Sequence, residues 1–180
     1  MLRSWLAQST LIAALAAVPT AYAAHEDFHA RFSGFNEVGA LNAETGAIFS
    51  QGKGHLTLRL DRTNHMITFS LTYSGLTSAV TQAHIHFGKK HVPGGILVFF
   101  CSNTGNAPAG IPACPANGGT VTGTITAANV QAIIGQNVTA GDFDALEDAI
   151  RSETAYGNIH TARFPAGEIR GEIRRGQDDD

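Results

Sequence analysis

Apolar residues recur at every second position through most of the first half of this chain, and that period commits it to β-strands. Phe28, Ala30 and Phe32 share one face of a run whose other face carries His29 and Arg31. Leu56, Leu58 and Leu60 alternate with Thr57 and Arg59, Asp61-Arg62-Thr63-Asn64 supplies a turn, and Ile67, Phe69, Leu71 and Tyr73 return. These two runs read as a hairpin with one apolar face. Val80 to Phe87 reads as another strand, as does Gly119 to Thr126, where Val121, Gly123 and Ile125 alternate with threonines. Gly95 to Cys101 is apolar on both faces, the pattern of a central strand covered on each side.

The period changes after Thr126. A short helix capped by Thr126 is expected to carry Val130, Ile133 and Ile134 and to end at Gly135. Thr139-Ala140-Gly141-Asp142 has the form of a second capping signal, followed by Phe143, Leu146 and Ile150 at helical spacing. Tyr156 to Phe164 and Glu168 to Arg174 then read as two strands joined by a Pro165-Ala166-Gly167 turn. In the second of these, Glu168, Arg170, Glu172 and Arg174 alternate with Ile169, Gly171 and Ile173, which predicts a solvated charge ladder. The sum is an all-β, antiparallel β-sandwich with a short helical crossover before the last two strands.

Residues 1–23 have the layout of a cleaved signal peptide. Arg3 gives a positive start, Leu11 to Val18 an apolar core too short for a membrane span, and Ala21-Tyr22-Ala23 a cleavage site. The expectation is a secreted or periplasmic protein with one domain over 24–180, no integral membrane segment in the mature chain, and a short acidic tail at Asp178-Asp179-Asp180. Removing Arg3, the only charge in the signal, takes the formal net charge from −3 to −4. A mildly acidic chain without a basic cluster is a poor match for nucleic acid, leaving a protein or a small molecule as the expected partner.

An oxidising compartment also bears on the two cysteines, Cys101 and Cys114. The residues between them include Gly105, Pro108, Gly110 and Pro112, a composition that lets a loop close, so a disulfide is expected. The other reading is a pair of thiolates completing a copper or zinc site with histidines.

Ala83-His84-Ile85-His86 sets two imidazoles about 7 Å apart on one face of a strand. Tyr156-Gly157-Asn158-Ile159-His160-Thr161 brings a third, and if the two strands are neighbours the three rings converge. Two readings stay open. In one, His84, His86 and His160 are buried hydrogen-bonding residues that fix the register of the sheet. In the other, they hold copper or zinc, with His91 as a fourth ligand. His25, His29, His55 and His65 fall at the start of the chain or at turn and outward positions. No Gly-x-Ser-x-Gly elbow, phosphate-binding glycine loop or His-Glu-x-x-His helix is present, which weighs against an enzyme of those classes.

Four blocks in order, Phe32-Ser33-Gly34 with Glu37-Val38, Ala83-His84-Ile85-His86, Tyr156 to Thr161, and Pro165 to Ile173, resemble the CHRD domain. That module is named after the extracellular antagonist chordin and is found also in bacterial exported proteins. The resemblance marks Asn158, Thr161, Gly167, Glu168, Arg170 and Gly171 as motif residues and implies an exported β-sandwich domain; the function expected of it is that of a non-catalytic binding or structural module. Two features depart from the family pattern: Phe87 follows the His-x-His where a glycine is usual, and the Cys101 to Cys114 loop is an insertion. A thinner likeness is to copper/zinc superoxide dismutase, which also sets His-x-His on a strand of an exported sandwich and would make this a copper-dependent redox protein.

Overall fold

The Asp61 turn behaves as its sequence requires. Its carboxylate accepts from the backbone of Thr63 and Asn64, both at 3.0 Å, and so reverses the chain between two strands in full register. A computed structural model describes residues 25–38 and 46–176. The segments expected to form a signal peptide (1–23) and an acidic tail (178–180) lie outside the described residues.

The strands are β1 (His25–Phe32), β2 (Lys53–Asp61), β3 (Met66–Ser74), β4 (Val80–Phe87), β5 (Gly95–Ser102), β6 (Gly119–Ile125), β7 (Ala155–Thr161), β8 (Ile169–Glu172) and β9 (Arg174–Arg175), with helix α1 (Phe143–Arg151) before β7. One antiparallel sheet has the order β6-β3-β2-β1-β9 and the other β5-β4-β7-β8. The alternating faces of β1, β2 and β3 turn inward as their period requires, meeting Ala83, Ile85, Ile159 and Ile169 of the second sheet. Leu146, Ala149 and Ile150 of α1 join the same core, and the Asp142 carboxylate caps that helix by accepting from the Ala145 backbone at 3.0 Å.

Three expectations are corrected. First, β5 is an edge strand, not a central one. Its register against β4 slips twice, so that Leu97 and Phe100 are extra residues which turn inward beside their neighbours; this produces a continuous apolar run without a second flanking strand. Second, no single helix carries Val130, Ile133 and Ile134. Two short 3₁₀ turns, Ala127–Asn129 and Ile134–Gln136, stand there, because the backbone is used to cover the β5 edge: Gln131 donates to the Leu97 carbonyl and the Gln136 side chain accepts from Gly95, each at 2.8 Å. Third, the charge ladder is solvated only at its far end. Glu168 and Arg170 are both 0% exposed, and the last strand divides at buried Ile173, β8 pairing in one sheet and β9 in the other.

Two glycines let the sheets approach. Gly157 and Gly171 are register partners on the inner face, and a Cβ on either would run into the ring or backbone of the β1 segment around Phe32. Cys101 and Cys114 form a disulfide with Cα atoms 5.0 Å apart, closing the insertion; the thiolate alternative is thereby removed.

Candidate metal centre

The outer face of the smaller sheet carries the polar residues of β4, β7 and β8. Register sets His84 opposite Asn158, His86 opposite Tyr156 and Gln82 opposite His160, so His160 is a diagonal neighbour of His84. The diagonal is closed by the rings themselves: His84 Nδ1 lies 3.2 Å from His160 Nε2. One candidate ligand nitrogen from each of the three rings lies within 4.8 Å of the others. That 3.2 Å is close to the edge of about 3.3 Å expected between two nitrogens bonded to one ion at about 2.0–2.1 Å.

Each ring is held from behind. His86 Nδ1 is 2.9 Å from the Gly94 carbonyl, and His160 Nδ1 is 3.0 Å from the Pro165 carbonyl. A carbonyl oxygen only accepts, so both Nδ1 atoms carry the proton and both Nε2 atoms present lone pairs. His160 Nε2 has His84 for company. His84 Nε2 and His86 Nε2 are buried and have no hydrogen-bond partner among the described residues. His84, His86 and His160 are 0%, 8% and 7% exposed.

Burial keeps these rings neutral. It is the largest influence on all three, pushing His84 down to about 2, with the neighbouring His160 and His86 adding to the effect. His86 is pushed down to about 4: the Gly94 carbonyl pulls the other way, and His160 and the Arg170 charge push further down. His160 is also lowered, since burial outweighs the Pro165 carbonyl. Neutral imidazole is the form that ligates metal.

The surroundings are aromatic and tightly bonded. The edge of the Phe99 ring meets His84 at a centroid distance of 4.5 Å. Tyr156 lies between His86 and the Arg170 guanidinium, whose carbon sits 3.3 Å above the tyrosine ring. Arg170 also donates to Glu172 at 3.0 Å and to the carbonyls of Lys89 and Val92 at 3.0 and 3.2 Å, and Gly94 donates to the Tyr156 hydroxyl at 3.0 Å. The Gly88 to Gly94 loop is therefore fastened over the β8 side of the cluster.

His84, His86 and His160 are thus brought together, while His91 is exposed at the tip of that loop and is no part of the group. The motif residues have structural positions. Asn158 donates to Glu37 at 2.6 Å and to the Ile169 carbonyl at 3.1 Å. The Glu168 carboxylate accepts from Ser50 at 2.6 Å, from the Thr77 backbone and hydroxyl at 2.9 Å each, and from Thr161 at 2.8 Å. Gly167, at φ 132°, turns the chain where a side chain would strike Glu37 and Asn158. Sequence reasoning missed the roles of Tyr156 and Phe99. Period two alone could have found Tyr156, four residues before His160 and so on its face.

Fold and site together define an all-β sandwich with three neutral imidazoles buried on the outer face of one sheet. The CHRD domain family model matches residues 28–173, and the chain belongs to that family. No curated protein and no solved structure matches it. The disulfide and the domain are compatible with an extracellular or periplasmic protein, and among the described residues no helix is long and apolar enough to cross a membrane.

Proposed function

We propose that this CHRD domain is an exported, non-catalytic binding module that holds one transition-metal ion, copper or zinc, on His84, His86 and His160. The observation that carries the reading is the approach of His84 Nδ1 to within 3.2 Å of His160 Nε2, with a ligand nitrogen of His86 in the same group and a buried, unpartnered lone pair on His86 Nε2. A cluster serving only to knit the sheet has reason to satisfy His86 Nε2, since a bare buried acceptor costs about 1–3 kcal/mol. An ion takes one lone pair from each of the three rings at once. The backing of His86 and His160 by backbone carbonyls is the arrangement that orients imidazole ligands at metal sites. Burial of every ring favours a holding role, because catalytic metals keep a position open to substrate.

The test is metal analysis of tag-free protein from the periplasm or medium, with titration of the apo protein by zinc, Cu(II) and anaerobic Cu(I) at pH 7.5. One ion per chain, a raised melting temperature and loss of both in His86→Ala are expected. Unchanged melting and no binding heat with all three ions overturn the proposal.

A further inference from the structure

We infer that the ion this site selects is monovalent copper in preference to any dication. The inference rests on the metal-holding reading above and goes further, because it follows from the charge and crowding of the site rather than from the identity of its nitrogens.

The donor set is wholly neutral. Among the described residues the group of potential ligands is made of three histidines, with no aspartate, glutamate or thiolate among them, and both cysteines are consumed in a disulfide. A positive charge is packed beside the rings: the Arg170 guanidinium lies across the Tyr156 ring from His86. Glu172 pairs with Arg170, yet of these two it is the arginine whose charge is felt at His86. Phe99 and Tyr156 wall the cluster with low-polarity surface. The cost of moving an ion from water into such surroundings rises with the square of its charge, so a dication costs about four times as much as a monocation of the same size. Carboxylates or thiolates offset this cost at many sites that bury a dication, and none belongs to the ligand group among the described residues.

Coordination number points the same way. Zinc takes four ligands in a tetrahedron. Three imidazoles are available, His91 is exposed outside the group, and histidines between 0% and 8% exposed leave little access for water as the fourth. Monovalent copper, with a filled d shell and low charge, is satisfied by three nitrogens.

Competition titrations decide the matter: the wild-type apo protein is titrated anaerobically with Cu(I) against a chromophoric Cu(I) chelator, and separately with Cu(II) and with Zn(II) against chelators of known affinity. The dissociation constant for Cu(I) is expected to be at least about 100-fold below those for both dications. Against Cu(II) this corresponds to raising the bound copper potential by about 120 mV, at about 59 mV per tenfold for one electron. X-ray absorption of the loaded protein should show a reduced copper with three nitrogen neighbours. Replacing one neutral donor by an anionic one, His84→Asp, should narrow the Cu(I) to Zn(II) ratio by tenfold or more. Zinc or Cu(II) binding within 100-fold of Cu(I) in the wild type overturns this inference while leaving the metal-holding module standing. Failure of all three ions to bind removes both.

Discussion

Tyr156 and His86 stack face to face, with ring planes 4° apart and centroids separated by 4.9 Å. The opposite face of Tyr156 carries the Arg170 guanidinium, so one aromatic ring positions a candidate ligand on one side and a buried charge on the other. Tyr156→Ala should destabilise the protein by about 3–5 kcal/mol, the usual range for emptying a large buried aromatic site. Tyr156→Phe, which loses only the hydroxyl that accepts from Gly94, should cost about 1 kcal/mol. Urea denaturation monitored by circular dichroism distinguishes them; equal costs for the two would show that the stack contributes nothing.

Stability of the apo protein should fall as pH drops below about 6.5. The unfolded chain takes up protons on these histidines near their ordinary value, while in the folded chain His86 resists protonation down to about 4. Between those limits the unfolded state binds more protons, so the stability present above about 6.5 is lost progressively toward 4. His86 alone accounts for about 3 kcal/mol across that window. Chemical denaturation of wild type and His86→Phe at pH 7.5 and 4.5 measures it, and a variant that loses as much as the wild type would sink the assignment.

Glu168→Gln should cost about 2–4 kcal/mol. The carboxylate takes four hydrogen bonds from Ser50, Thr77 and Thr161, and an amide presents an NH₂ group to donors that need an acceptor. Its thermal midpoint, compared with that of Arg174→Gln at the exposed end of the same run, gives the contrast. Similar midpoints would return Glu168 to the surface ladder that its sequence suggests.

Gly157→Ala places a methyl group against the Phe32 ring and should cost at least about 1–3 kcal/mol through overpacking. Because Gly157 separates Tyr156 from Asn158, the same variant should weaken metal binding although it touches no ligand. A Phe32→Leu change in the Gly157→Ala background should recover part of both losses, and a lack of recovery would place the strain elsewhere.

Reduction of the Cys101–Cys114 bond should lower stability by about 3 kcal/mol, the chain-entropy value for a loop of this size. Thiol titration of the denatured, unreduced protein is expected to find no free sulfhydryl.

Period two sufficed for β1, β2 and β3, because which face of those strands is buried is written in each strand alone. The shared face of His84 and His86 was legible for the same reason. Their convergence with His160 needed the pairing of Gln82 with His160, a long-range register that no local pattern states. The burial of Glu168 and Arg170 was invisible, since alternating charges look the same whether water or a loop covers them; here the loop's own carbonyls take the place of solvent on Arg170. The edge position of β5 was hidden by its two bulges, and the 3₁₀ turns by a backbone whose hydrogen bonds are spent on a neighbouring edge rather than on a helix.

The fastening of the Gly88 to Gly94 loop makes traffic on that side of the cluster a matter of rate. Arg170 grips Lys89 and Val92, His86 grips Gly94, and Gly94 grips Tyr156, so the segment lifts as one piece or not at all. Anything passing beneath it must wait for those bonds to break together. For an ion held as proposed, residence time on that route would be set by how often a seven-residue loop opens, a clock that runs independently of how tightly three imidazoles close on it.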